Sequence, residues 1–179
     1  MEKNKKYTEA KEFTLFFLVS LAVAALLIIF VVQTAVVNGT SMFKTLNNND
    51  RLIVEKITYD FGRPKRGDIV VIKYPADTSQ RFIKRVIAVG GDKLKIDNGN
   101  LYINGKLQKE NYILQKMDSP IDQNFKSGVT VPKGTIFVMG DNRNDSHDSR
   151  FSDVGFVKLN LVVGKAIFRF YPFDKFGTI

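Results

Sequence analysis

Residues 13–37 carry no charged side chain, and Leu, Val, Ala, Ile and Phe fill most positions, with Ser20, Gln33 and Thr34 as polar interruptions. A helix rises about 1.5 Å per residue, so a run of this length exceeds the roughly 30 Å hydrocarbon core of a bilayer. The pattern predicts a single transmembrane helix over 13–37. Lys3, Lys5, Lys6 and Lys11 precede it, which would also suit a secretory signal. The apolar part of such a signal spans only about 7–15 residues, and Gln33-Thr34-Ala35 lacks a small residue three before a cut. A retained anchor is therefore expected. Because Lys and Arg favour the cytoplasmic side, residues 1–12 form a cytoplasmic tail in this reading and 38–179 an extracytoplasmic domain at the cell membrane.

Beyond the anchor no 3.6-residue amphipathic period stands out. Short β-rich runs bounded by turn residues do, and strands are predicted at 51–57, 68–74, 81–89, 93–96, 101–103, 135–139 and 161–171. Asp97-Asn98-Gly99 and Asn104-Gly105 are hairpin turns by composition. The polar stretch 109–132 reads as a surface excursion without chemistry. The expected architecture is mainly β, one domain on one helical stalk.

Composition narrows the chemistry. The 179 residues contain no cysteine and one histidine, His147. Disulfides, thiolate metal sites, a cysteine nucleophile and any multi-imidazole site are excluded. The net charge is +9, but Lys and Arg are scattered along the chain rather than gathered in a nucleic-acid motif. A basic surface beside anionic lipid is expected, with no nucleic acid partner.

Ser41 follows the apolar run by a few residues, where a polypeptide leaving a bilayer could be met. A serine hydroxyl is a weak nucleophile and needs a base within hydrogen-bond reach. Three bases are available. Strand alternation puts Lys84 on one face with Phe82, Val86 and Ala88, where desolvation would favour a neutral amine. An edge-strand lysine reaching out to solvent is the other reading of the same pattern. Lys44 makes a Ser-x-x-Lys spacing similar to that of penicillin-binding proteins, though Thr45-Leu46-Asn47-Asn48-Asn49-Asp50 is poor helix material and the partner motifs are missing. His147 could complete a triad with Asp145, Asp148 or Asp153.

Three segments together decide more than any base alone. Ser41-Met42 with Thr45-Leu46, then Arg81-Phe82-Ile83-Lys84-Arg85-Val86-Ile87 followed by Gly90-Gly91-Asp92, then Gly140-Asp141-Asn142-Arg143-Asn144-Asp145-Ser146-His147-Asp148-Ser149-Arg150, resemble the motifs of bacterial type I signal peptidases in their small Gram-positive form. The resemblance runs through nearly the whole chain, anchor included. It implies a coiled β-sheet catalytic domain and a serine endopeptidase that removes signal peptides of exported preproteins, as a monomer and without cofactor or metal. Ser41 would be the nucleophile and Lys84 the general base. Ser146 would orient the Lys84 amine, Asp148 and Arg150 would form an ion pair shaping the loop, and Asp141 would support it. The Ser41 N–H would serve the oxyanion; Gly39 stands where some relatives carry a second, hydroxyl donor. Met42 and the apolar strand faces would rest on lipid or pack in the core. The family usually has Pro where this chain has Lys44, which would loosen the turn and place a cation near Lys84. That departure leaves open a specialised or non-catalytic module for assembly of particular surface proteins.

Overall fold

The computed structural model describes residues 2–118 and 123–179, apart from the side chains of 2–10, 26–30, 60, 61, 123 and 124. The chain opens with helix α1, Glu2–Val31, followed directly by strand β1, Val32–Val36. The predicted helix over 13–37 therefore stops at Val31. The polar Gln33 and Thr34 and the β-branched valines around them suit a pleated strand. Strand β2, Arg51–Glu55, takes up their backbone groups in an antiparallel ladder from Val32↔Glu55 to Val36↔Arg51. Among the described residues no helix is long and apolar enough to cross a membrane. The side chains of 26–30, inside the expected span, lie outside that description.

After the short helix α2, Thr58–Phe61, come β3, Ile69–Tyr74, and the long β4, Asp77–Val89. Strands β5, Lys93–Asp97, β6, Asn100–Ile103, and β7, Lys106–Leu107, form a meander, and helix α3, Gln123–Ser127, leads to β8, Val129–Thr130. The chain closes with β9, Thr135–Met139, β10, Val157–Lys158, β11, Val162–Tyr171, and β12, Gly177–Thr178. One sheet has the order β1-β2-β11-β3-β4-β9-β10, with β12 also on β11, and the smaller sheet is β7-β6-β5-β8. All seven predicted strands are present. Asn98, Gly99, Asn104 and Gly105 all take positive φ, as tight hairpin turns require.

Three apolar clusters hold the sheets together. Ile87, Ala88, Phe137 and Met139 of the large sheet pack on Leu94, Ile96, Leu101 and Ile103 of the small one. Val70, Ile72, Val86, Ile136 and Val138 form a second cluster, and Val37, Met42, Leu46, Leu52, Ile69 and Ala166 a third. The register of β4 against β9 shifts between Val86 and Ala88. Val86 consequently belongs to the second cluster and Ala88, with Ile87, to the first, so the expected single face of Phe82, Lys84, Val86 and Ala88 ends at the bulge.

The stretch 109–132 is not an uncommitted surface excursion. Met117, Phe125 and Val131 are buried in the first cluster, and Glu110 pairs with the fully buried Arg143. Its polar residues concealed this because they are consumed by partners far away in sequence. Residues 119–122 of the stretch lie outside the described residues.

Candidate active site

The loop between β1 and β2 is nailed down from below. Met42 and Leu46 are buried in the third cluster, while Phe43 N–H donates to Thr40 O at 2.9 Å and Leu46 N–H to Met42 O at 2.9 Å. Met42, 1% exposed, is a core residue and has no surface to offer to lipid. Burying the residue after Ser41 fixes the backbone and leaves the Ser41 side chain on the opposite, partly open side. Gly39 takes φ 95° and its N–H donates to Asn48 Oδ1 at 2.8 Å.

Lys84 projects from β4, opposite Val70 of β3. Its side chain crosses to the Ser41 loop, where Nζ lies 2.7 Å from Ser41 Oγ, a contact between residues 43 positions apart. Lys84 is 4% exposed. Burial, which disfavours the ammonium, lowers its pKa from 10.5 to about 8; Asp148 opposes that shift and Arg150 reinforces it. The edge-strand reading, with the amine in solvent, is overturned.

The loop from Gly140 to Arg150 closes the site from the other side. Asp148 is completely buried and accepts from Gly140 N–H at 3.0 Å, Ser146 Oγ–H at 2.7 Å and the Arg150 guanidinium at 2.8 and 2.9 Å. The expected Asp148–Arg150 pair is thus formed. Ser146 gives its proton to Asp148, and the hydrogen bond expected between Ser146 and the Lys84 amine is not made among the described residues. A Cβ built on Gly140 would lie 2.3 Å from both Ser146 Oγ and Ser41 O, so only glycine lets the two loops meet. Asn142 N–H donates to Ser41 O at 3.0 Å, and the Thr40 hydroxyl donates to Asp145.

Asp141, 0% exposed, receives Arg85 Nε at 2.8 Å and Nη2 at 2.7 Å, and the Thr45 hydroxyl at 2.5 Å. It ties the residue next to Lys84 to the loop that carries Ser41. Reading by sequence alone missed Arg85, Thr45, Gly140 and Asn142 as working parts. Their signal was present, since all four lie inside the quoted motifs.

Neither of the other two candidate bases is hydrogen-bonded to Ser41 among the described residues. Lys44 Nζ donates to Asn111 O at 2.9 Å and Ile113 O at 3.3 Å. His147 is exposed, with Nε2 2.7 Å from Asp153 Oδ2 and its ring against Phe151. Among the described residues no group of three or more His, Asp or Glu side chains is placed to hold a metal ion.

A groove of about 460 Å³ leads to the site. Gln33, Thr34, Ala35 and Val36 of β1 form one wall, Ser79, Arg81 and Ile83 of β4 the other, and Val54, Val71 and Val163 lie between them. Val36, Asn38, Arg81 and Ile83 continue into the cleft that contains Ser41 and Lys84.

A serine hydroxyl at hydrogen-bond distance from a buried lysine, at the end of an extended groove, is the pairing of nucleophile and base found in covalent hydrolases. The family described as signal peptidase, peptidase S26, matches residues 10–171. A signal peptidase I of Bacillus caldolyticus is 40% identical over 89% of this chain and 90% of its own length. A signal peptidase I of Leptolyngbya laminosa is 39% identical over 84% and 74%, and signal peptidase IB of Staphylococcus aureus 37% identical over 89% and 90%. The chain belongs to the signal peptidase family, peptidase S26, as its three motifs indicated, and it is a serine endopeptidase.

Proposed function

We propose that this chain is a membrane-bound endopeptidase that removes N-terminal signal peptides from exported preproteins, with Ser41 as nucleophile and Lys84 as general base. The observation that carries this reading is the 2.7 Å approach of Lys84 Nζ to Ser41 Oγ, made by a lysine that burial brings to a pKa of about 8. At that value an appreciable fraction of the amine is neutral near physiological pH, which an ordinary lysine is not.

The steps follow from the geometry. Neutral Lys84 takes the Ser41 proton as Oγ attacks the scissile carbonyl, and the Ser41 N–H stabilises the oxyanion. The Gly39 N–H is taken by Asn48 and the Thr40 hydroxyl by Asp145, so a second donor comes from another group or from the substrate's surroundings. The Lys84 ammonium then returns its proton to the leaving amine as the C–N bond breaks. Water, activated by the same amine, hydrolyses the Ser41 ester.

The substrate would lie extended in the groove. Among the described residues the outer edge of β1 is unpaired, and β4 meets β9 only from Arg85 onward, which leaves its edge open alongside Ile83 and Arg81. A peptide strand there would gain main-chain hydrogen bonds, with small side chains such as Ala preferred at the first and third positions before the cut. Helix α1 would hold the enzyme at the bilayer, with 1–12 cytoplasmic and the β domain outside. Lys44, spent on main-chain carbonyls, supplies no reason to favour a non-catalytic module.

The test is cleavage of a preprotein with an Ala-x-Ala site by the full-length enzyme in detergent. Ser41→Ala and Lys84→Ala are expected to be inactive, and Lys44→Ala and His147→Ala active. Activity in Lys84→Ala would overturn the assignment of the base.

A further inference from the structure

The groove carries positive charge and no negative charge. Arg81 lines both the groove and the cleft beside the dyad, and the other groove-lining residues are neutral. Arg81 is exposed and makes no ion pair or side-chain hydrogen bond among the described residues. It stands directly opposite Lys73 in the β3–β4 ladder, two residues along from the Val71↔Ile83 pair that lines the groove. Cross-strand partners share a face, and like charges placed opposite each other destabilise a sheet. Asp77, the acid nearest in sequence, is engaged by Ser79 N at 3.1 Å, Ser79 Oγ at 2.7 Å and Gln80 Nε2 at 2.8 Å. Two cations thus stand opposite each other in the ladder beside the groove, and neither forms an ion pair among the described residues.

We propose that Arg81 is a specificity-determining residue, selecting signal peptides that carry Asp or Glu in the few residues before the cut and rejecting those with Lys or Arg there. The inference rests on the function proposed above, with the peptide extended along β4. Strands advance about 3.3 Å per residue, so Arg81 lies about two residues upstream of Ile83, which shares the cleft with Ser41. Its long side chain then reaches peptide positions two to five before the scissile bond. A guanidinium holds a carboxylate with two parallel hydrogen bonds, whereas a peptide lysine there would make a third unpaired cation.

The experiment uses full-length enzyme and Ala-x-Ala peptides with Asp or Lys at the second, fourth or fifth position before the cut. The readout is the Asp-to-Lys ratio of kcat/KM for each enzyme, in which any general loss of activity cancels. At one or more positions wild type is expected to prefer Asp roughly five- to tenfold, a preference that shrinks in high salt. Arg81→Gln is expected to bring the ratio within about twofold of unity, and Arg81→Glu to invert it. A ratio near unity for wild type at all three positions, or a preference that survives Arg81→Gln, overturns the proposal while leaving the peptidase reading intact. A wild type that cuts none of the peptides overturns the function itself, and this inference with it.

Discussion

Asp141 grips Arg85 with both carboxylate oxygens, at 2.8 and 2.7 Å. The same carboxylate takes the Thr45 hydroxyl, so one buried anion joins the strand that presents Lys84 to the loop that presents Ser41. This clamp adds to the local contacts of the Ser41 loop a link between the two segments that meet at 2.7 Å.

Asp141→Ala should therefore damage both folding and turnover. It leaves Arg85, 12% exposed, without its partner. Breaking a buried pair from one side costs about 3–5 kcal/mol. Urea denaturation should show that loss, and kcat should fall about 100-fold through misplacement of Ser41 against Lys84. Unchanged kcat would mean that the clamp does not position the dyad.

The pH dependence follows from Lys84. On the proposed mechanism the base works as the neutral amine, so kcat/KM should rise with pH through an apparent pKa of about 8. For stability, the folded pKa lies below the unfolded one. The unfolded chain binds the extra proton between about 8 and 10.5, so the contribution of Lys84 becomes more favourable with rising pH across that window and is fully unfavourable below it. Lys84→Met should abolish cleavage yet raise the urea midpoint at pH 7, by roughly 1–3 kcal/mol in unfolding free energy. A lowered midpoint would show that the amine's hydrogen bonds outweigh its desolvation.

Lys44 takes φ 87°, a left-handed conformation that proline, fixed near −65°, cannot adopt. Installing the family's usual residue should thus be harmful here: Lys44→Pro is expected to cost more than about 1 kcal/mol and to slow cleavage. Lys44→Gly relieves the backbone while losing the side-chain bonds to Asn111 and Ile113, and should change stability by less than about 1 kcal/mol with activity retained. Thermal melts and a cleavage assay of both variants check this.

Glu110 neutralises Arg143, whose side chain is wholly buried, through bonds of 2.9 and 2.6 Å. Tyr112 lies over Arg85 with 4.2 Å between its ring centre and the guanidinium carbon. Glu110→Ala should destabilise the domain by about 3–5 kcal/mol, with Glu110→Gln intermediate. A loss below about 0.5 kcal/mol in urea titration would restore the view of this stretch as a surface excursion.

Much of the fold could be read locally. Alternation and turn chemistry located β2 to β6, β9 and β11, because inward and outward side chains imprint a period of two on the chain. The short β7, β8, β10 and β12 carry too few residues to show a period and exist because a longer strand offers them an edge. β1 was hidden for a different reason, since an apolar run reads alike as helix or strand until a partner is present. Within 109–132, Glu110, Tyr112 and Asn111 looked like loop residues because their partners lie dozens of positions away.

By itself the sequence determined the candidates: a serine after an apolar run, a lysine among apolar neighbours on a strand, and a polar motif rich in Asp and Arg. Only the tertiary structure decided between them. Three candidate bases stood open on paper, and what separates them in the structure is that Lys84, stripped of water, is the one hydrogen-bonded to Ser41, while Lys44 is held by main-chain carbonyls. Desolvation and proximity depend on which distant strands meet. A linear pattern records what each residue can do, and packing determines which one is in a position to do it.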